Sequence, residues 1–113
     1  MSYWVRLCDV EDRVVEVTSH QDGGNYVIGG TTSAELNVTY NYAKVWRDYE
    51  WSLRDLDGRR AGDCLPELRL LVKNLGTEPD DDYWKATPGN AGRALARLLE
   101  WGELYPDAVF NVN

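Results

Sequence analysis

Glu35-Leu36-Asn37-Val38-Thr39-Tyr40-Asn41-Tyr42, inside the longer stretch 29–46, is the segment from which the chain is best read. Successive side chains of a strand point to opposite faces. Alternation therefore places Leu36, Val38, Tyr40 and Tyr42 on one face, and Glu35, Asn37, Thr39 and Asn41 on the other. The first face is suited to a core. The second is unusual, because Asn is depleted in strands, where its amide competes for backbone groups. A row of amides and a hydroxyl fits the binding of a polar ligand or of a partner's polar groups. The solvated face of a half-buried antiparallel sheet accounts for the same pattern.

Upstream of this segment, residues 3–8 and 14–18 carry β-branched and aromatic residues around the turn-like Asp9-Val10-Glu11-Asp12-Arg13, and they read as a hairpin. Residues 19–24 form a polar, glycine-containing loop in which His20 is expected to be exposed. Residues 25–28 make a short strand closed by Gly29-Gly30. Downstream, Val45, Trp46, Tyr49 and Leu53 fall at helical spacing, which predicts a helix over 43–56 with Trp51 off its stripe. Leu65, Leu68, Leu71, Val72 and Leu75 form the stripe of a second helix, capped by Gly62 or Asp63 and stopped at Gly76, with Pro66 expected in the first turn. The last helix has the strongest start signal, Thr87 as N-cap followed by Pro88. Ala91, Leu95, Leu98, Leu99, Gly102 and Tyr105 give it one buried face, and residues 108–112 can add a final strand. Strands first and helices after them predict an α+β fold, an antiparallel sheet of about four to five strands packed on one face by two to three helices. At 113 residues the chain has the size of one domain.

Composition excludes several classes of function. Hydrophobic content of 43% argues against disorder. No apolar run approaches the roughly 20 residues of a membrane span, and the first residues lack the pattern of a signal peptide, so a cytoplasmic protein is expected. A formal charge of −7 disfavours direct binding to nucleic acid, which needs clustered Lys and Arg, and favours a basic partner surface over an acidic one. Cys8 and Cys64 lack metal or redox spacing and read as small buried hydrophobes.

Catalytic motifs are missing. Neither GxGxxG nor GxxxxGK(S/T) occurs, and a single histidine, beside Ser19, does not make a triad. Asp80-Asp81-Asp82 lacks the spacing of a calcium loop and reads as a solvated acidic loop. No metal or cofactor is expected. A binding site is the better candidate: Tyr83, Trp84, Thr87 and Asn90 stand at the start of the last helix, where free N–H groups favour an anionic or carbonyl-bearing group. If that helix start lies near the face formed by Glu35, Asn37, Thr39 and Asn41, the two sets line one polar and aromatic surface. Thr87 as a mere cap, with Tyr83 and Trp84 as core plugs, is the simpler alternative.

Two stretches, Gly29-Gly30-Thr31 with 34–42 (Ala-Glu-Leu-Asn-Val-Thr-Tyr-Asn-Tyr) and 81–91 (Asp-Asp-Tyr-Trp-Lys-Ala-Thr-Pro-Gly-Asn-Ala), resemble a family of small, largely uncharacterised proteins of bacteriophages, prophages and their bacterial hosts. With their spacing and the closing Pro106 they span most of the chain. The resemblance brings no catalytic residues. It implies a setting of mobile elements, in which small acidic proteins bind and block host defence proteins in the manner of anti-CRISPR proteins. The leading expectation is therefore a non-enzymatic protein binder. The alternatives are a protein that sequesters a nucleotide-like small molecule and, less favoured, a small hydrolase or transferase using carboxylates.

Overall fold

The computed structural model describes residues 2–20 and 31–113. Strand β1 (Ser2–Cys8) alternates from Tyr3 to Leu7: Tyr3, Val5 and Leu7 are buried while Trp4 and Arg6 face outward, and Cys8 at its end is buried too. It is the middle strand of a three-stranded antiparallel sheet, between β4 (Glu35–Thr39) and β5 (Val109–Val112). Register pairs Val5 with Leu36 on one side and Val112 on the other, and Leu7 with Phe110, so one sheet face is wholly apolar. Helices α2 (Ala61–Leu75) and α3 (Pro88–Leu104) supply Leu68, Leu71, Leu95, Leu98 and Trp101 to the same core. The first and last strands of the chain thus share one sheet, and the fold is α+β.

The sheet is smaller than the sequence predicts. β2 (Glu16–His20) pairs with β3 (Thr31–Ser33) in a separate two-stranded sheet. The expected hairpin is only a corner. After the turn at Asp9, where the Asp9 N–H donates to the Arg13 carbonyl at 2.8 Å, β1 meets the returning chain through one bridge, Cys8 with Val14. Three backbone hydrogen bonds then close a ring: Leu7 N–H to Ala34 (3.0 Å), Ala34 N–H to Val15 (3.1 Å) and Val15 N–H to Leu7 (3.0 Å). Because Ala34 joins β3 to β4, this ring is where β2 leaves β1 and the two sheets divide. The strand expected at 25–28 and the glycine turn at 29–30 lie outside the described residues.

His20 is another correction. It ends β2 only 7% exposed, its Nε2 donating to the Ser33 carbonyl at 2.9 Å and its ring 5.0 Å from that of Trp101. The helix expected over 43–56 is broken in two: α1 (Ala43–Arg47), then a 3-10 turn at Leu53–Leu56. Glu50, at φ +54, reverses the chain between them, and Ser52 restarts it with a reciprocal capping box to Asp55. Tyr49 consequently leaves the apolar stripe and is 43% exposed, whereas Trp51 folds back to donate from Nε1 to Glu67 at 2.8 Å.

Helix α2 begins at Ala61, so Pro66 sits in its second turn rather than its first. Neither Gly62 nor Asp63 caps it. The Ala61 and Gly62 amides instead donate to the Ala108 and Pro106 carbonyls at 2.7 and 2.8 Å, which satisfies the helix start from the chain leading into β5. α2 ends at Gly76, φ +76, as its glycine predicts. α3 crosses this end closely. A Cβ on Gly92 would fall 1.9 Å from the Gly76 carbonyl oxygen, and one on Gly89 would fall 1.8 Å from that of Glu78.

Leu98→Ala, at a fully buried position, should destabilise by roughly 2 to 5 kcal/mol, and Leu70→Ala, 59% exposed on α2, by less than about 0.5 kcal/mol in denaturant melts. Gly92→Ala should lower stability by about 1 to 3 kcal/mol or more, since the backbone contact must open. A neutral Gly92→Ala melt would contradict the helix crossing described.

Candidate binding surface

Thr39 is where the expected polar face ends. It is 3% exposed, and its Oγ1 accepts the Asn41 N–H at 3.2 Å, capping a 3-10 turn over Tyr40–Tyr42. The strand is therefore three residues shorter than alternation predicts, and Asn41 does not extend the row begun by Glu35 and Asn37. Those two remain on the outer sheet face. Asn37 lies opposite Trp4, and Glu35 pairs with Arg6 at 3.5 Å.

The structure nonetheless brings the two motifs together. The Asn41 Nδ2 donates to the Trp84 carbonyl at 2.9 Å. Tyr83 is fixed at both ends: its carbonyl accepts a short hydrogen bond from the Tyr42 hydroxyl, and its own hydroxyl donates to the Asn37 carbonyl at 3.1 Å on the edge of β4. Burial pushes the Tyr42 phenol above the ordinary tyrosine range, and neighbouring Tyr83 and Asp82 push it the same way.

Asn90 organises the loop from the helix side. It is 5% exposed; its Oδ1 accepts the Asp80 N–H at 2.9 Å, and its Nδ2 donates to the carbonyls of Asp82 (3.0 Å) and Lys85 (2.9 Å). Both amide hydrogens and the carbonyl oxygen are thus engaged with the chain itself. Thr87 caps α3 as its sequence predicts, accepting the Asn90 N–H at 3.1 Å. The acidic run also shapes backbone. Asp80 Oδ1 accepts the Asp82 N–H at 2.9 Å and Asp82 Oδ1 accepts the Trp84 N–H at 3.0 Å, two successive side-chain turns. Among the described residues no group of three or more His, Cys, Asp or Glu is placed to hold a metal, and no helix is long and apolar enough to cross a membrane.

Rings that sequence reasoning left unconnected form a continuous path. Trp84 meets Tyr83 edge-on (5.3 Å between centroids), Tyr83 meets Tyr42 (6.0 Å), and Tyr42 meets Trp46 (6.1 Å). Trp46 then contacts Trp51 (5.7 Å) and Tyr3 (6.2 Å), and Tyr3 contacts Tyr40 (4.5 Å). Arg54 closes the surface end of the second branch, 5.2 Å above the Tyr3 ring with Nη2 3.4 Å from the Tyr40 hydroxyl. Trp46 is fully buried, and its Nε1 has no hydrogen-bond partner among the described residues, so its enclosure by Tyr3, Tyr42 and Trp51 is an aromatic rather than a polar setting. The path reaches solvent at Trp84, 49% exposed. No sequence signal joins Tyr3 to residues 40–51 and 83–84, because their proximity arises from the pairing of β1 with β4 and from hydrogen bonds of residues 83–84 to Asn37, Asn41 and Tyr42.

Compared with family models, with curated proteins and with solved structures, the chain matches none of them. Glu35, Thr39, Tyr83, Thr87 and Asn90 have side-chain partners within the chain and Asn37 is engaged through its carbonyl, while the outward groups of the corner are the Trp84 ring, the exposed Asn41, the carboxylates of Asp81 and Asp82, and Lys85, whose Nζ lies 3.9 Å from Asp80 Oδ2.

Asn90→Ala should cost about 2 to 4 kcal/mol, because three backbone groups lose their partner at once, whereas Asn41→Ala, at an exposed position, should cost about 1 kcal/mol or less; equal losses in melting experiments would refute this ranking. A second prediction concerns alkaline pH. The folded chain holds the Tyr42 proton more tightly than the unfolded chain, so that contribution to stability is complete below about pH 10 and declines as pH rises further. The wild type should lose stability more steeply between about pH 10 and pH 12 than Tyr42→Phe does; parallel pH curves would contradict the assignment.

Proposed function

We propose that the chain is a non-enzymatic binding protein that docks on a basic protein surface through the corner formed by Trp84, Asn41 and the carboxylates of Asp81 and Asp82. One observation carries this reading: the Trp84 ring is 49% exposed although its backbone is clamped on both sides, N–H to Asp82 and carbonyl to Asn41. Tryptophan anchors that are rigid before binding lose little conformational freedom on association and dominate interface energies. Folding needs the clamp, but it does not need the ring outside. Flanking carboxylates add attraction to a partner rich in Lys and Arg and raise its association rate. The resemblance of Gly29-Gly30-Thr31 with 34–42, and of 81–91, to phage and prophage proteins supports a host defence protein as that partner, with inhibition as the outcome of binding.

Affinity capture from a bacterial lysate, followed by titration of the captured protein, tests the reading. Trp84→Ala should weaken binding by at least about 2 kcal/mol, roughly thirtyfold, with little change in melting temperature. Undiminished binding by the variant would contradict the assigned anchor. A small-molecule adduct of nucleotide mass seen in native mass spectrometry of the purified chain would favour sequestration instead.

A further inference from the structure

Helix α3 and strand β1 both run away from the Trp84 corner, and a second concave surface lies at their far ends. α3, 17 residues long, spans about 25 Å at 1.5 Å per residue, so Leu104 is remote from Thr87. Around it, Val10, Val15, Leu104, Tyr105 and Ala108 line an open hollow of about 280 Å³, with Asp9 and Asp107 among its walls. Three of the apolar residues there are substantially exposed: Val10 at 94%, Leu104 at 59% and Tyr105 at 36%. The hollow is nonetheless a fixed shape. The Tyr105 hydroxyl donates to the Glu16 carbonyl at 2.5 Å, and Asp9 Oδ1 accepts the amides of Glu11 (2.9 Å) and Arg13 (3.1 Å), which fixes the turn bearing Val10.

We infer that this hollow receives one large apolar side chain of a protein partner, presented on a segment that carries Arg or Lys on either side of it. The hollow has room for one large side chain, since an apolar cavity of about 150 Å³ already admits benzene. Charge selects the flanking residues. On both rims carboxylates outnumber the arginines they share: Arg13 is divided between Asp9 (3.5 Å) and Glu11 (2.9 Å), and Arg60 between Asp63 (3.3 Å) and Asp107 (2.6 Å). An incoming cation meets unneutralised carboxylate at either rim, and an incoming anion is repelled. The surface is independent of the Trp84 corner, and its test reads different residues.

The probe is a set of capped tripeptides, Arg-Phe-Arg, Glu-Phe-Glu and Arg-Ser-Arg, titrated into the isotope-labelled chain and followed by amide chemical shifts. Arg-Phe-Arg should move the Val10, Leu104 and Ala108 amides, leave Trp84 unmoved, and bind at least about tenfold more tightly than either control. Leu104→Gln and Val10→Ser, at exposed positions, should keep the dispersed spectrum and each remove those shifts. If one variant loses its dispersed spectrum, the other decides. The inference is overturned if the three peptides act alike, if shifts fall elsewhere, or if the folded variants respond as the wild type does. It is equally overturned if the same amides shift with protein concentration alone, which would make a second copy of the chain the occupant.

Discussion

The Asn90 carboxamide makes three hydrogen bonds, all to backbone groups of the 80–85 loop, and the placing of Tyr83 and Trp84 depends on where that loop lies. Held by Asn90, the loop delivers Tyr83 to the edge of β4 and Trp84 to the surface. A buried amide left without those partners would strand polar groups at a cost of about 1 to 3 kcal/mol each. The neighbouring glycines are part of the same arrangement. With Gly89 and Gly92 the start of α3 lies against the 76–78 backbone, which fixes where the loop begins.

From Tyr83 inward, the energetics change from hydrogen bonding to ring packing. The path through Tyr42, Trp46 and Tyr3 ties the loop to α1 and to the middle strand of the sheet, so residues far apart in the chain share one core. Edge-to-face pairs contribute roughly 0.5 to 1.5 kcal/mol beyond buried area. The same path explains how an exposed ring can be rigid: Trp84 rests on Tyr83, which itself rests on buried aromatics. A rigid, half-exposed ring amid carboxylates is what the proposed docking role requires.

Signals carried by neighbouring residues were legible in the sequence. The stripe of α2, the Thr87 and Pro88 start of α3, the glycine stop at Gly76 and the inward Leu36 and Val38 all follow from spacing and local chemistry. Where two local rules compete, the sequence is silent. Thr39 is both the last residue of β4 and, through its hydroxyl, the cap of the turn that carries Tyr42 to Tyr83, so alternation fails just beyond it. Nothing local marks Glu50 for positive φ, yet Ser52 and Asp55 do carry a capping-box spacing that signals a restart. His20 looks like a loop residue among polar neighbours; pairing of β2 with β3 buries it beside Trp101. The hairpin failed for a similar reason, since only long-range pairing with residues 31–39 decides that β1 and β2 part at Leu7 and Val15. Asn37, Asn41, Tyr83, Trp84, Thr87 and Asn90 meet around one loop while Glu35 pairs with Arg6 on the outer sheet face, and nothing local in the sequence marks these pairings.

Asn90 and Tyr42 hold one loop from opposite sides, which makes their contributions interdependent. A double-mutant cycle with Asn90→Ala and Tyr42→Phe, read as unfolding free energies at neutral pH, measures this directly. Once either tie is cut the loop loosens and the other tie matters less, so the double variant should be less destabilised than the sum of the singles by about 0.5 to 3 kcal/mol. Additivity within about 0.3 to 0.5 kcal/mol would show two independent sites and contradict the account.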